Sequence, residues 1–202
     1  MSEHFNGIVK INNIDIKYDY IELNNSRGTI VAIGGTGGGF YGPSYIYDDI
    51  SNNLDKMKLS LLRVDVKPPF HFATMQLINA IEILISRNNT KPIVLIGWSM
   101  GGASIIHSAK YLINNNKIKV NSIITLAGQS YGAEPISELN VPIYIIHGSN
   151  DKVMGPNVAK HIWKIAKNPK ELVILDGAGH FMNEKDKELK KYVYKWILNS
   201  FY

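Results

Sequence analysis

The sequence predicts an α/β fold in which one mostly parallel, twisted sheet is covered by helices on both faces. Short apolar runs alternate along the chain with longer stretches in which apolar residues recur at helical spacing. Most of the runs are continuous stretches of Val, Ile and Leu, which is typical of strands that are buried on both sides. A chain of 202 residues suits one domain of this kind, so a single domain over 1–202 is expected.

The predicted elements alternate in the order that such a sheet needs. The predicted strands are the short apolar runs Asn13–Ile21, Thr29–Ile33, Leu59–Asp65, Pro92–Ile96, Ser122–Leu126, Pro142–His147 and Glu171–Leu175. The predicted helices are the stretches of helical spacing between and after them: Ser44–Met57, Phe72–Arg87, Ser99–Asn114, Asn157–Ala166 and Glu184–Asn199. Parallel strands bring their carboxyl ends to one edge of the sheet, so binding and catalytic residues are expected in the loops at that edge.

Composition excludes several classes of function. The chain has no cysteine, which rules out disulfides, thiolate metal sites and a cysteine nucleophile. Its net charge of +5 comes mainly from lysines that alternate with acids, as in 184–191, so no nucleic-acid partner is expected. The segment around His4 has no basic and apolar signal pattern and is expected to be frayed. No apolar run reaches about 20 residues, so no membrane span is predicted and a cytoplasmic location is expected.

The strongest motif is the hexapeptide GWSMGG at Gly97–Gly102. It follows a predicted strand and opens a predicted helix, which is the strand–turn–helix setting of a G-x-S-x-G nucleophile elbow. A serine at such a sharp turn projects its hydroxyl above the sheet, and the helix directs the positive end of its dipole at the site. Ser99 is therefore the candidate nucleophile. The alternative is a glycine-rich helix start with Ser99 as an ordinary N-cap.

A base and an acid follow Ser99 in the order that this kind of site uses. Asp151 comes shortly after the strand Pro142–His147, and His180 comes shortly after the next strand. A serine needs a base to take its proton, and the base needs a third group to fix its tautomer. Glu134 and Asp176 compete with Asp151 for the role of the acid, although Asp176 is close in sequence to His180.

The glycine-rich loop Gly34–Gly39 is the candidate oxyanion loop. Acyl transfer needs two backbone N–H donors aimed at the developing oxyanion, and glycines let the main chain approach closely enough. The N–H of Met100, next after the nucleophile, is expected to be one donor. The N–H of Thr36 is the candidate for the second, with Gly35 and Gly37 as alternatives.

The same loop has a competing interpretation as a dinucleotide site. Residues 37–42 fit G-x-G-x-x-G, and Asp65 ends a later predicted strand. The first glycine lies several residues past its strand, however, and position 65 comes 28 residues after position 37, where about 20 are usual. A nucleotide-binding redox protein would also leave Ser99, Asp151 and His180 unexplained.

Taken together, these motifs resemble the α/β-hydrolase superfamily over the chain from about residue 29 to the C-terminus. The resemblance is closest to its small dienelactone-hydrolase-like and acyl-thioesterase-like members. It implies a three-layer α/β-hydrolase fold with Ser99 as nucleophile, His180 as base and Asp151 as orienting acid. The chain departs from the family in having two glycines where His-Gly often opens the oxyanion loop. The stretch 128–141 is too short for a helical cap, so no cap domain and an open site are expected.

The sequence thus predicts a serine hydrolase that cleaves a small carboxylic ester, thioester or lactone through an acyl-enzyme, without a metal or organic cofactor. A catalytically silent binding or receptor protein of the same fold is the alternative, and an acyltransferase or perhydrolase would use the same residues. The acyl group, the leaving group and the oligomeric state are left open. The candidate pocket residues on loops at the active edge are Gly35, Gly37, Phe40, Tyr41, Trp98, Gln129 and Tyr131.

Overall fold

A computed structural model describes residues 2–11, 13–87 and 91–202, and in this part of the chain a central sheet has eight strands. The strands are β1 (Ser2–Ile11), β2 (Ile14–Leu23), β3 (Thr29–Ile33), β4 (Ser60–Asp65), β5 (Ile93–Trp98), β6 (Val120–Leu126), β7 (Ile143–Gly148) and β8 (Lys170–Leu175). Their order across the sheet is β1-β2-β4-β3-β5-β6-β7-β8. The first three strands in that order pair antiparallel and the rest pair parallel, which confirms the mostly parallel sheet.

Helices cover both faces of the sheet, as the sequence predicts. They are α1 (Ile46–Ser51), α2 (Leu54–Met57), α3 (Phe70–Ser86), α4 (Met100–Asn114), α5 (Asn157–Ile165) and α6 (Asp186–Phe201). Helices α3, α4 and α5 pack in the core on one face, and α1, α2 and α6 pack in the core on the other. Alternate residues of β3 contribute to the two cores, with Val31 and Ile33 on one side and Ile30 and Ala32 on the other. The continuous apolar runs therefore reflect burial on both faces.

The prediction that the segment around His4 is frayed is wrong. Residues Ser2–Ile11 form β1, which pairs along its whole length with β2 as an antiparallel hairpin at the edge of the sheet. Most side chains of β1 are exposed, and its main apolar anchor is Phe5, which stacks on Tyr20 at 6.2 Å between ring centroids. An edge ribbon that buries so little leaves no continuous apolar run in the sequence, so the strand has no signal of the kind the buried strands have.

The predicted helix Ser44–Met57 is divided in the structure. A 3-10 turn over Pro43–Tyr45 precedes α1, and α1 ends before a break at Asn52 and Asn53. The side-chain amide of Asn53 donates to the carbonyl oxygen of Asp49 at 2.8 Å. Asparagine offers the backbone a competing hydrogen bond of this kind, which explains why the apolar spacing continues while the helix does not.

The carboxyl edge of the sheet is not covered by an additional domain. Between β6 and β7 the chain forms only loops and a short 3-10 turn over Glu134–Glu138. The fold is therefore the three-layer α/β arrangement without a cap domain. Within the described residues, no helix is long and apolar enough to cross a lipid bilayer.

Candidate active site

Ser99 is the single residue between β5 and α4, and its backbone is strained. Its φ of 57° and ψ of −121° lie in a region that non-glycine residues rarely adopt. Its N–H donates to the carbonyl oxygen of Leu126 at 2.9 Å, and its own carbonyl oxygen accepts from the N–H of Gln129 at 3.1 Å. Ser99 stands at the N-cap position of α4, but within the described residues its hydroxyl makes no capping hydrogen bond. The geometry therefore favours the nucleophile elbow over an ordinary N-cap.

The glycines of the elbow are required by close backbone approaches. A Cβ at Gly97 would overlap the carbonyl oxygen of Gly101 and come within 2.9 Å of the nitrogen of Gly102. A Cβ at Gly101 would in turn overlap the carbonyl oxygen of Gly34. These residues let the end of β5, the start of α4 and the loop after β3 meet around Ser99.

His180 and Asp151 are paired at the same edge of the sheet as Ser99. The Nδ1 of His180 lies 2.8 Å from Oδ2 of Asp151. Asp151 follows β7 and His180 follows β8, while Ser99 follows β5, so three parallel strands deliver the three side chains to one edge. Asp151 is 4% exposed, whereas the imidazole of His180 is partly open to solvent.

Hydrogen bonds hold Asp151 in its charged form. Burial opposes ionisation, but donors from Met154 N–H, His180 and Val153 N–H outweigh it and lower the pKa of Asp151 below its usual value. The two backbone donors both reach Oδ1, at 2.8 Å from Val153 and 2.9 Å from Met154. The other oxygen, Oδ2, is thereby left for side-chain contacts, among them that with His180.

The two competing acids have other positions. Asp176 accepts a hydrogen bond from the hydroxyl of Ser149 at 3.2 Å. Glu134 is exposed at the start of the 3-10 turn between β6 and β7. Of the three acids that the sequence offers, the structure brings Asp151 to His180.

Trp98 connects the strand of the elbow to the loop of His180. Its indole N–H donates to the backbone carbonyl oxygen of His180 at 3.3 Å, and the two rings lie 5.4 Å apart between centroids. Because Trp98 directly precedes Ser99, this contact fixes the histidine loop next to the elbow.

The glycine-rich loop lies against Ser99. Gly35 and Gly38 form a turn in which the Gly38 N–H donates to the Gly35 carbonyl oxygen at 3.0 Å. A Cβ at Gly35 would lie 3.4 Å from Oγ of Ser99, so the backbone passes directly beside the hydroxyl. Thr36 follows Gly35 and is exposed. Met100 begins α4, and the first N–H groups of a helix have no acceptor within it.

Asp65, at the end of β4, supports this loop. Its Oδ1 accepts from the N–H of Gly39 at 2.7 Å and from the ammonium of Lys67 at 2.9 Å. The hydroxyl of Tyr47 donates to the carbonyl oxygen of Ile33 at 2.8 Å on the other side of the loop, and complete burial raises the pKa of Tyr47. The loop is therefore anchored at both of its ends.

This use of Asp65 argues against the dinucleotide interpretation. In that fingerprint the glycines open a helix, and the acid is directed to a ribose. Here β3 ends at Ile33 while α1 begins only at Ile46, and the carboxylate of Asp65 is engaged by the loop itself.

A cleft of about 220 Å³ opens beside the elbow, and aromatic side chains form much of its wall. The ring of Tyr41 meets that of Tyr45 edge-on at 5.8 Å, and the ring of Trp98 meets that of Phe181 at 4.9 Å. The sequence pointed to Tyr41 and Trp98 but missed Tyr45 and Phe181. The lining residues are Gly38, Tyr41, Gly42, Ser44, Tyr45, Trp98, Phe181 and Asn183.

The remaining candidate pocket residues do not line this cleft. Gly35 borders Ser99, and Gly37 faces open space, because within the described residues no atom lies within 4 Å of a Cβ built there. The ring of Phe40 instead lies against the guanidinium of Arg63, 5.8 Å from its centroid.

Gln129 and Tyr131 follow β6, which neighbours β5 on the side away from β3. The N–H of Gln129 contacts the carbonyl oxygen of Ser99, and its side-chain amide donates to the carbonyl oxygen of Tyr131 at 2.8 Å. Tyr131 is 76% exposed, and its ring meets Phe70 edge-on at 6.1 Å. Neither side chain is among those that line the aromatic cleft.

A second histidine, His147, touches the same carboxylate as His180. It is completely buried, and its Nε2 lies 2.7 Å from the carbonyl oxygen of Met154 and 3.1 Å from Oδ2 of Asp151. Burial lowers the pKa of His147, so the imidazole is neutral near pH 7.

We expect the protein to lose stability as the pH falls from 7 to 5, in part through His147. The unfolded chain takes up a proton near the ordinary histidine pKa of about 6.5, whereas burial holds the folded pKa below this value. For each proton bound only by the unfolded state, the free energy of unfolding decreases by up to about 1.4 kcal/mol for every unit by which the pH falls. Urea unfolding at pH 7, 6 and 5 should show a shallower decline for His147→Gln, which does not titrate. If the free energy of unfolding declined equally steeply with falling pH in the wild type and in His147→Gln, a neutral buried His147 would be contradicted.

Within residues 2–11, 13–87 and 91–202, no group of three or more His, Asp or Glu side chains is arranged to hold a metal ion.

The candidate site consists of a serine on a strained strand–helix turn, a His–Asp pair and a glycine loop, all at the carboxyl edge of a mostly parallel sheet. This fold and this site define an α/β hydrolase.

Comparison with known families identifies the group more closely. The sequence model of the PET hydrolase-like family matches residues 74–201, which is more than half of the chain. The chain therefore belongs to the PET hydrolase-like family, and it is an α/β-hydrolase enzyme that acts on ester bonds. The matched segment includes Ser99, Asp151 and His180 but not the glycine loop.

Solved structures resemble the fold over nearly the whole chain. A predicted CIB-like hydrolase from Thermoplasma acidophilum has a TM-score of 0.76 at 19% identity, covering 98% of this chain and 100% of that one. A dienelactone hydrolase from Anabaena variabilis has a TM-score of 0.81 at 15% identity, covering 98% of both chains. An alpha-beta serine hydrolase homologue from Coxiella burnetii has a TM-score of 0.73 at 17% identity, covering 95% of this chain and 96% of that one. A comparison with curated protein sequences gave no match.

Proposed function

We propose that this protein is a serine esterase that hydrolyses small carboxylic esters through an acyl-enzyme on Ser99. The observation that carries the proposal is the 2.8 Å contact between His180 and Asp151 beside a strained serine. Because Nδ1 of His180 is occupied by Asp151, Nε2 is the nitrogen that is left to take a proton from the serine hydroxyl. The name of the family and those of several structural neighbours support chemistry at an ester bond.

The reaction follows from these roles. His180 takes the proton of Ser99 as its oxygen attacks the ester carbonyl, and the tetrahedral oxyanion accepts hydrogen bonds from the N–H groups of Met100 and Thr36. The protonated His180, held by Asp151, then gives its proton to the departing alcohol. A water molecule, deprotonated by His180, attacks the acyl-enzyme and releases the carboxylic acid and the free serine. One ester and one water give one acid and one alcohol.

The aromatic cleft supports esters that carry a flat or aromatic group. Trp98 and Phe181 present their rings next to His180, and the ring of Phe181 lies 5.9 Å from that of the histidine. Aromatic faces and edges attract other rings beyond what burial alone provides. The open carboxyl edge leaves room for the rest of such a substrate. Thioesters and lactones would use the same residues and are second candidates.

We expect Phe181→Ala to weaken binding of an aromatic ester without slowing its chemistry. Phe181 is 56% exposed in the cleft, so the change removes a ring contact and leaves the core intact. The KM for a naphthyl ester should rise roughly 3- to 10-fold, the equivalent of one aromatic pair. Its kcat and the KM for ethyl acetate should stay within about twofold. Tyr111→Ala, at an exposed position near the C-terminal end of α4, is the matched control. Equal KM changes for the two esters would exclude the cleft as the aromatic subsite.

Labelling with a fluorophosphonate tests the proposed function directly. The probe phosphonylates only serines that a base activates, and mass spectrometry of the digested protein identifies the modified peptide. We expect the label on Ser99, no label in Ser99→Ala, and loss of turnover of an activated ester in the same variant. A folded protein that takes no label would instead support the catalytically silent binding protein of the same fold.

A further inference from the structure

The carboxylate of Asp151 is contacted by two imidazoles. His180 approaches Oδ2 at 2.8 Å, and His147 approaches the same oxygen at 3.1 Å. The proposed mechanism uses only the first of these. His147 is the penultimate residue of β7 and has no solvent exposure, so it is fixed to the sheet rather than to a loop.

The surroundings of His147 define its tautomer. Its Nε2 faces two acceptors, the carbonyl oxygen of Met154 at 2.7 Å and Oδ2 of Asp151 at 3.1 Å. A nitrogen between two acceptors must carry the proton. Within the described residues, Nδ1 has no hydrogen-bond partner, so it is the unprotonated nitrogen of a neutral ring. His147 therefore presents an N–H that donates to the Met154 carbonyl oxygen and lies beside Oδ2 of Asp151.

The peptide of Met154 completes a closed arrangement around Asp151. Its N–H donates to Oδ1 of Asp151 at 2.9 Å, while its carbonyl oxygen accepts from His147 at 2.7 Å. The loop 148–154 thus folds back on the end of β7, with the carboxylate between the loop backbone and the buried imidazole. The charged and titratable groups that act on His147 are Asp151 and His180.

We propose that His147 is a positioning residue that holds the carboxylate of Asp151 in the orientation in which Oδ2 meets His180. This rests on the proposed function, in which Asp151 orients the base. His147 does not touch the substrate or the reacting atoms. Its hydrogen bond to the Met154 carbonyl keeps the loop closed, and its contact with Oδ2 restricts rotation of the carboxylate.

A pair of amide substitutions separates positioning from simple packing. In His147→Gln the side-chain NH₂ reaches the place of Nε2, whereas in His147→Asn it reaches only the place of Nδ1. We expect Gln to keep kcat for an activated ester within about threefold, and Asn to lower it roughly 10- to 100-fold through misplacement of the base. The KM should change less than about twofold in both. His161→Asn, on the exposed face of α5, is the control.

A double-mutant cycle distinguishes positioning from packing. It compares the loss of kcat caused by His147→Asn in the presence and in the absence of the Asp151 carboxylate. In Asp151→Asn protein, the carboxylate that His147 positions is already absent, so adding His147→Asn should lower kcat by less than about threefold. A full and additive loss in that background would overturn the proposal. So would equal activities of His147→Gln and His147→Asn when thermal unfolding shows both to be folded.

Proton NMR tests the same proposal without any substrate. A protected hydrogen bond between His180 and Asp151 gives a strongly downfield imidazole proton signal, which should be present in wild type and His147→Gln and lost to exchange in His147→Asn. An unchanged signal in His147→Asn, or none in wild type, would overturn the positioning role. If the protein hydrolyses no ester, the proposed function fails, while these spectra still decide whether His147 holds the carboxylate.

Discussion

The His180→Ala variant is expected to lose about four or more orders of magnitude in kcat for any ester that the wild-type protein hydrolyses. The reason is that the other groups of the site depend on the imidazole. Without it, the hydroxyl of Ser99 has no base, and Asp151 has no ring to orient. What activity remains should come from the backbone donors and from substrate binding alone. Steady-state kinetics with an activated ester, together with fluorophosphonate labelling, measures both losses.

His161→Ala is the matched control for this experiment, because it removes an exposed imidazole from α5. Its kcat should equal that of the wild type. If His180→Ala kept more than about a tenth of the wild-type kcat, a catalytic base would be excluded. The contact between His180 and Asp151 would then be a structural hydrogen bond.

Gly97→Ala is expected to destabilise the protein by about 3 kcal/mol, the upper end of the usual cost of overpacking. The added methyl would overlap the carbonyl oxygen of Gly101 and come within 2.9 Å of Gly102 nitrogen. Both atoms belong to backbone, so no side chain can rotate away. The start of α4 must move from the end of β5. In a chain of this size the melting temperature should fall by roughly 6–12 °C, and the displacement should also reduce esterase activity.

Gly155→Ala is the control, since within the described residues no atom lies within 4 Å of a Cβ at that position. Its free energy of unfolding should stay within about 0.5 kcal/mol of the wild-type value. Differential scanning calorimetry of the two variants provides the comparison. A melting temperature for Gly97→Ala within 2 °C of that for Gly155→Ala would show that the elbow relaxes far more easily than its backbone contacts imply.

Much of the architecture could be predicted because the sheet is buried on both sides. Runs such as 93–96 are apolar without alternation, and that pattern locates a central strand within one or two residues. Once the strands are parallel, their carboxyl ends must share an edge. This geometric rule, rather than any local property of the residues, predicts that Asp151 and His180 lie together, and the structure pairs them at 2.8 Å.

The features that the sequence did not predict are those set by the direction of individual side chains and by segments with little buried surface. Phe40 is adjacent to Tyr41, yet its ring lies against Arg63 while Tyr41 lines the cleft. Nothing in the order of the residues distinguishes these two outcomes. Phe181 could have been suggested by its place beside His180. The role of His147 depends on where the peptide of Met154 turns, which only the folded loop defines.

The distribution of the site along the chain has a consequence for folding. Gly35, Ser99, Asp151 and His180 follow four different strands, and position 180 comes 81 residues after position 99. No short segment therefore contains a partial site, and each group gains its neighbours only through contacts of long sequence separation. Such contacts form late and slowly in parallel sheets. Recovery of activity after dilution from denaturant should consequently lag behind recovery of the helical circular-dichroism signal. Activity requires that all the strands carrying site residues are already paired in the sheet.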